Sequence, residues 1–84
     1  MDSTTLIAMA SIVTAGLTIA IGGIGPALGE GRSVSTALGS LAQQPDAAAT
    51  ITRTLFVGLA MIETMAIYCL VIALLLLFAN PYAQ

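Results

Sequence analysis

Charged side chains are scarce in this sequence. Only 7 % of its 84 residues are charged, 58 % are hydrophobic, and it has no Trp. No cluster of basic residues is present, so neither a nucleic-acid-binding surface nor a polybasic patch for anionic lipid is predicted. A soluble domain of this length buries only about 60 to 70 % of its unfolded surface, and too little polar sequence is present to cover the rest. We therefore predict a membrane protein.

Cysteine is limited to one residue, and the features of a cleavable signal peptide are missing. Cys69 lies within an apolar run, where a lone thiol usually behaves as a small buried hydrophobic group. The first residues, Met1 to Thr5, carry no positive side-chain charge, and no small-residue cleavage site follows a short apolar core. We expect Cys69 to have a packing role and the first apolar segment to be retained.

Two long apolar segments, residues 6–29 and 55–79, dominate the chain. Each is long enough to cross a bilayer as a helix, since a span needs about 20 apolar residues at ~1.5 Å rise each. Pro45 and Asp46 form a turn signal between them, with Asp46 expected to cap the second helix, which Asn80-Pro81 ends. The fold class predicted is an all-α transmembrane hairpin spanning residues 1–84, with a helix at about 4–42, a loop at 43–46 and a helix at about 47–79.

The few charges also predict an orientation. Arg32 and Arg53 flank the loop, whereas the only side-chain charge near either terminus is that of Asp2. The positive-inside rule then places the loop in the cytoplasm and both termini outside.

Glu63 is the only charged residue in the second apolar segment. An ionised side chain at bilayer depth costs at least ~2.5 kcal/mol, so such a residue is by default a candidate for ion handling. Glu30 lies about 15 residues before the turn and Glu63 about 17 after it, so a hairpin places both carboxyl groups at nearly the same depth. Alternatively, Glu30 only marks the membrane boundary and solvates the cytoplasmic end of the first helix.

Small residues of the first helix fall on two nearly opposite faces when plotted at 100° per residue. Small residues let membrane helices approach closely, and two opposed packing faces favour a cyclic homo-oligomer. Alternatively, they reflect only the Gly and Ala richness of membrane helices. The first small-residue face comprises Gly16, Ala20, Gly23, Ala27 and Gly31; the second comprises Ser11, Ala15, Thr18, Gly22, Gly25, Gly29 and Ser33; between them a bulky seam, Val13, Leu17, Ile21, Ile24 and Leu28, is expected to face lipid at the ring's centre.

Two carboxyl groups in an apolar site favour a shared proton, because desolvation and a neighbouring like charge both disfavour ionisation. Thr64 has a hydroxyl beside Glu63, Tyr68 has a phenol, and backbone carbonyls near Met61 can accept or coordinate. Na⁺ is the rival ion, and it needs about five or six oxygen ligands. Glu63, Glu30, Thr64 and a carbonyl supply about four or five, so we favour H⁺, which needs only one donor and one acceptor.

Four motifs stand in register along nearly the whole chain: residues 23–31, residues 42–46, Glu63-Thr64 followed by Ile67-Tyr68, and residues 77–81. Together they resemble the c subunit, or proteolipid, of F-type ATP synthases. The resemblance implies a non-catalytic protein without a cofactor, in a ring of identical hairpins in the bacterial plasma membrane. It also implies a stator a subunit, whose arginine releases the ion from Glu63, and a loop, Gln43-Gln44-Pro45, that contacts the central stalk.

Three positions depart from the pattern of that family. Gln43 stands where the loop usually has Arg, so the usual polar contact between this position and the stalk is not expected in the same form. Ala27 replaces one glycine of the inner-helix repeat, and a bulkier contact favours a ring with more subunits. Glu30 makes a two-glutamate site, as in the divergent N-type branch, whereas Met65 departs from the sodium-type pattern. The residues expected to pack between neighbouring subunits are Gly23, Gly25, Ala27, Gly29 and Gly31.

Two functions of other classes also fit a small two-helix membrane protein. A holin-like pore-forming oligomer would need a polar stripe along a whole helix, and Glu63 is nearly alone on its helix. A structural or regulatory partner of a larger membrane complex would have no use for two carboxyl groups at matching depth. We therefore favour an ion-translocating rotor subunit that catalyses no reaction itself.

Overall fold

The computed structural model describes residues 2–82, so the predicted hairpin ends at residue 1 and at residues 83 and 84 lie outside the described chain. The order of elements is α1 (Ser3–Gly22), α2 (Ile24–Gln43), a 3₁₀ turn (Pro45–Ala47) and α3 (Ala48–Phe78). The first two helices run into each other, and α3 folds back along both. The chain is therefore a helical hairpin, as predicted, with extents of 64 × 16 × 9 Å.

Both arms of the hairpin are able to span a membrane by length and composition. Ser3–Gln43 forms one arm of 41 residues and Pro45–Phe78 the other of 34 residues. Most of their large apolar side chains are exposed, and the most buried side chains are small, namely Ser11, Ala15, Ala37 and Ala73. This distribution is expected where lipid is the solvent, because burial of large apolar groups gains little there and close backbone approach gains more.

The α1 helix begins at a side-chain cap. Asp2 has extended backbone geometry, with φ of −82° and ψ of 174°, and its carboxylate accepts a hydrogen bond of 2.8 Å from the backbone N–H of Thr5. One of the N–H groups that a helix start leaves without a partner is thereby satisfied.

Pro26 interrupts the hydrogen bonds between α1 and α2 without separating the helices. Proline has no N–H to donate to the carbonyl of Gly22, so one helical bond is missing at this point. Gly23 nevertheless keeps helical backbone angles, and its N–H and carbonyl make 3.0 Å bonds to the carbonyl of Ile19 and the N–H of Ala27. The first arm is thus a single helical rod with a local defect.

The turn differs from the prediction that Asp46 caps the second helix. Asp46 lies inside the 3₁₀ turn, and no side chain caps either that turn or α3. A capping residue needs a non-helical backbone immediately before the helix, and the turn that begins at Pro45 leads directly into α3 instead. The N–H of Ala47 bonds to the carbonyl of Gln44 at 3.0 Å, which closes the turn through backbone groups alone.

Most of the second small-residue face packs against α3 of the same chain, which corrects, for those positions, the prediction that both faces meet neighbouring chains. Ser11 and Ala15 are buried, and a side chain at Gly22 or Gly29 would meet Cys69 or Ile62 of α3. Gly29 therefore packs within the hairpin, whereas Gly25, Ala27 and Gly31 are exposed and Gly23 is half-buried. Sequence periodicity identifies a packing face but does not say which helix covers it.

A hydrogen bond holds the open end of the hairpin together. The amide of Asn80 donates to the hydroxyl of Ser11 at 2.8 Å, and the carbonyl oxygen of the same amide accepts from the backbone N–H of Tyr82 at 2.9 Å. Asn80 thus links the residues after α3 to α1, in addition to ending the helix before Pro81.

Candidate ion-binding site

Glu63 lies at the centre of the 31-residue α3 helix. Its side chain is exposed, and so are the large side chains of Met61, Met65 and Ile67 around it. The half-buried side of α3 at this level is formed by Leu59, Ile62 and Ala66, which face the other arm. Glu63 is therefore on the outer surface of the hairpin, within a band of hydrocarbon side chains.

Glu30 of α2 is the one acidic residue that the fold brings to Glu63. The two carboxyl groups lie within hydrogen-bonding distance of each other, across the gap between the helices. Glu30 is half-buried, so its side chain reaches Glu63 along the edge of the helix interface. Two carboxyl groups can share a hydrogen bond only when one of them carries a proton. The pair is therefore able to share a proton.

Gly29 faces Ile62 across the helix interface beside this pair. A Cβ placed at Gly29 would lie 3.6 Å from Cδ1 of Ile62, which is an ordinary van der Waals contact. Gly29 directly precedes Glu30, and Ile62 directly precedes Glu63. The two carboxyl groups therefore follow directly after residues that face each other across the interface.

Thr64 uses its hydroxyl proton within α3. Its Oγ1 donates a hydrogen bond of 3.0 Å to the backbone carbonyl of Ala60. The hydroxyl therefore has no proton left to donate to Glu63, and only its lone pairs are available to accept a hydrogen bond or coordinate a cation.

Neither Tyr68 nor Met61 makes a side-chain hydrogen bond to the carboxyl pair among residues 2–82. Tyr68 is 62 % exposed and takes part in none of the side-chain hydrogen bonds among residues 2–82. It follows Glu63 by five residues, which is about 140° around the helix. Met61 is 70 % exposed, and its backbone carbonyl lies in the interior of α3, where carbonyls accept from the N–H four residues later.

Few other ligands for a metal ion are near the two carboxyl groups. Among residues 2–82, no group of three or more His, Cys, Asp or Glu side chains could hold a metal ion. A cation here would need oxygens from Thr64, from backbone carbonyls or from a second chain. The two carboxyl groups by themselves are able to gain and lose a proton.

The sequence did not predict the bond between Ser11 and Asn80, because it joins residues far apart in the chain. The available signal was a hydroxyl residue on a packing face together with an amide directly after the second helix.

The loop residues Gln43, Gln44 and Pro45 are all exposed at the tip of the hairpin.

The sequence of this chain is similar to those of known proteins. The family described as the C subunit of ATP synthase matches residues 13–76. The ATP synthase c subunit numbered 2 of Cereibacter sphaeroides (strain ATCC 17029 / ATH 2.4.9) is 69 % identical over 74 residues, which covers 88 % of this chain and 89 % of the relative. The ATP synthase c subunit of Prochlorococcus marinus (strain AS9601) is 47 % identical over 99 % of this chain and 100 % of its own. The chloroplastic ATP synthase c subunit of Ostreococcus tauri is 48 % identical over 94 % of this chain and 96 % of its own.

Proposed function

We propose that this chain, which belongs to the c subunit family of ATP synthase, carries one proton per hairpin on the carboxyl pair of Glu63 and Glu30. Family membership itself makes the chain a non-catalytic membrane component of the rotor, assembled in a ring and involved in ion translocation. The proposal concerns the ion and the residues that hold it.

The observation that carries the proposal is the proximity of the two carboxyl groups on a helix surface that is otherwise hydrocarbon. An ionised carboxylate on that surface is costly in lipid, whereas the pair is neutral, with an internal hydrogen bond, when both carboxyl groups are protonated. The neutral pair is able to move through the bilayer and to release one proton only in polar surroundings, which leaves the second proton shared between the two groups. A rotor that carries protons past a stator needs this behaviour.

The a subunit of the stator completes the proposed cycle. When rotation brings Glu63 to the stator, a positive charge there stabilises the ionised carboxylate and so releases the proton. The site gains another proton before it re-enters lipid. Because Glu63 is exposed on α3, it meets the stator without opening the hairpin.

The loop and the termini have proposed locations that follow from charge. Arg32 and Arg53 lie in the parts of the two arms nearer to the loop, which favours a cytoplasmic loop, termini outside and a location in a bacterial plasma membrane. The exposed tip, Gln43 to Pro45, is then the part of the chain that contacts the central stalk.

Na⁺ is the alternative ion at the same site. The lone pairs of the Thr64 hydroxyl favour it, because that oxygen lies next to Glu63 and cannot donate to it. The number of oxygens disfavours Na⁺, which needs about five or six oxygen ligands. The two carboxyl groups that the fold brings together supply four, and the Thr64 hydroxyl would add one.

Labelling with a hydrophobic carbodiimide tests the site and the ion together, because the reagent reacts with protonated carboxyl groups in apolar surroundings. Purified rings would be labelled over a pH series, with and without millimolar Na⁺, and the labelled residue identified by peptide mass. We expect labelling at Glu63 that decreases as pH rises and does not depend on Na⁺. A Glu63→Gln variant is the control for labelling elsewhere.

Two outcomes would contradict the proposal. Protection of Glu63 by Na⁺ at constant pH would make Na⁺ the coupling ion. Failure of Glu63 to react at any pH at which carboxyl groups are protonated would exclude a neutral carboxylic acid at this position.

A further inference from the structure

Glu30 and Glu63 project from the same side of the hairpin. Gly29 and Ile62 face each other across the helix interface, and each glutamate follows its facing residue by one position, which is about 100° around the helix. Because the two arms run in opposite directions, these rotations bring both carboxyl groups to one side, in agreement with their hydrogen-bonding distance. The side defined by Glu30 and Glu63 is the carboxyl flank.

The opposite side of the hairpin contains a groove that an arginine borders. The groove has a volume of about 560 Å³ and runs between α2 and α3 toward the loop, and its lining includes Arg32 and Thr54. Each of these two residues precedes by one position a half-buried residue of the interface, Ser33 or Leu55. Their rotation around the helix is therefore opposite to that of the glutamates. The side defined by Arg32 and Thr54 is the groove flank.

Arg32 has no acidic partner within the hairpin. It is exposed, and it takes part in none of the side-chain hydrogen bonds among residues 2–82. Glu30 is two positions away, so the two side chains project from nearly opposite sides of α2. No acidic side chain is among the described residues that line the groove. A guanidinium is always charged, and a single hairpin leaves this one uncompensated at nearly the depth of Glu30.

A ring brings the two flanks together. With α3 outermost, as the proposed function requires for Glu63, the line between the two arms is radial and each flank meets a neighbouring chain. Cyclic symmetry joins one flank to the other at the same depth, so the groove flank of each chain meets the carboxyl flank of the next. Arg32 and Glu30 are both on the inner arm and differ in height by two residues, about 3 Å. An arginine side chain is long enough to span that difference.

We propose that Arg32 of each chain forms an ion pair with Glu30 of the next chain in the ring. The pairing rests on the proposed function for the outer position of α3. A guanidinium matches a carboxylate with two parallel N–H donors, and ionisable side chains within a membrane pair with one another. The groove provides room for the arginine side chain between two chains. Gly25 and Gly31 on the surface of the same arm are exposed, which allows the inner helices to approach closely.

The ion pair takes the place of the second proton that the carboxyl pair otherwise retains. Within one hairpin, Glu30 and Glu63 are neutral only when both are protonated. An ionised Glu30 beside the next chain's Arg32 contributes no net charge, so the site is neutral when Glu63 alone is protonated and donates to Glu30. Each hairpin then binds and releases one proton without retaining another.

Few other charged or titratable groups face Glu30. From α3 of its own chain it faces Glu63, whereas Arg53 lies ten residues, about 15 Å, nearer to the loop. From α1 it faces no charge, because Ser3–Gly22 contains none. On the next chain, Tyr68 lies on the groove flank but on the outer arm, so Arg32 is the cation that this neighbour brings to Glu30.

Mixed isotope labelling tests the contact directly, since Glu30 and Glu63 are the only glutamates and Arg32 and Arg53 the only basic residues. Rings would be reassembled from Arg53→Gln chains with ¹⁵N-arginine and chains with ¹³C at glutamate Cδ, so that a ¹⁵N–¹³C contact arises only between chains. We expect solid-state NMR to detect a contact between the guanidinium and an ionised carboxylate. The contact should persist when the ¹³C chains carry Glu63→Gln and disappear when they carry Glu30→Gln.

Carbodiimide labelling at Glu63 tests the effect of the ion pair on the site. Arg32→Gln removes a positive charge, so the midpoint of labelling should move to higher pH. Arg32→Lys keeps the charge and should restore the midpoint toward that of the wild type. Arg53→Gln is the control and should leave it unchanged. If Arg32→Gln rings do not assemble, the contact in the mixed rings decides alone.

Three results would overturn the ion pair: no contact between chains, a contact that is lost with Glu63→Gln rather than with Glu30→Gln, or a midpoint that Arg32→Gln moves no further than Arg53→Gln does. Failure of the proposed function is a separate result. If Glu63 in wild-type rings does not react with carbodiimide at any pH, the proton-carrying site is refuted, and the NMR contact still decides whether Arg32 and Glu30 pair.

Discussion

At the residue scale, the proposed ion-binding site depends on the proximity of Glu30 and Glu63. Counting residues from the turn was enough to predict that the two side chains meet, because helices have a fixed rise and a short turn leaves little freedom of register. The behaviour of Thr64 was not predictable in the same way. The sequence is compatible with a hydrogen bond from its hydroxyl either to the side chain of Glu63 or to the backbone carbonyl of Ala60. In the structure the hydroxyl donates to Ala60.

Asp2 provides a pH-dependent feature outside the membrane. The backbone N–H of Thr5, and in addition the Thr5 side chain, hold the pKa of Asp2 below its ordinary value of 3.8. Because this pKa is lower in the folded chain, the cap stabilises α1 above the ordinary pKa and is lost as pH falls through the lowered one. We expect the amide signal of Thr5, followed by NMR in micelles, to lose its hydrogen-bonded shift only under strongly acidic conditions.

An Asp2→Asn variant is the control for this prediction. Asparagine also caps helices but does not titrate in this range, so the Thr5 amide shift should be constant over the same pH series. A Thr5 amide that titrates equally in the variant would show that another group causes the change.

At the scale of elements, the two arms could be predicted from sequence but their contacts could not. Apolar length and the Pro45 turn signal were sufficient for a hairpin. The cap at Asp46 was wrong because Pro45 begins a 3₁₀ turn, and the second small-residue face was assigned to the wrong neighbour. Gly22 is an example, because a side chain at this position would collide with Cys69 of α3. The sequence shows that residue 22 is small, but it does not show which helix packs against it.

Replacing Gly22 by alanine should destabilise the hairpin. The added Cβ would collide with Sγ of Cys69, and overpacking of this kind costs about 1–3 kcal/mol. We expect a lower free energy of unfolding for Gly22→Ala in micelles, and substantial recovery in the double variant with Cys69→Ala, which removes the sulfur.

Gly16→Ala is a matched control on the same helix. Nothing lies within 4 Å of a Cβ at that position, so in the isolated hairpin the change should be neutral or stabilising. If Gly22→Ala were as well tolerated as Gly16→Ala, or if removing the sulfur had no effect, the close approach at Cys69 would not limit packing.

At the scale of the whole molecule, the hairpin is a component of a ring. The first small-residue face is largely exposed and is available to neighbouring chains, with Ala20, Ala27 and Gly31 on its surface. The motifs along the sequence were sufficient to identify the family. They did not reveal the Ser11–Asn80 bond at the open end, because such a contact depends on the final register of two distant segments.

Ala27 is expected to influence the number of protomers in the ring. A methyl group on this face holds neighbouring helices further apart than a glycine does, so Ala27→Gly should give rings with fewer protomers. Protomers would be counted in images of the isolated rings.

Ala37→Gly is the matched control, because Ala37 is on the same arm but buried within the hairpin. It should weaken the helix without changing the count. An unchanged count for Ala27→Gly, or the same change in both variants, would exclude Ala27 as a determinant of ring size.

A proton shared by Glu63 and Glu30 is the property on which the proposed function of the ring depends. The most direct test compares the pH dependence of carbodiimide labelling at Glu63 in wild-type and Glu30→Gln rings. The amide removes a like charge and can donate a hydrogen bond to the ionised Glu63, so the midpoint of labelling should move to lower pH. An identical midpoint in the two rings would contradict a shared proton and leave Glu63 to bind its ion without Glu30.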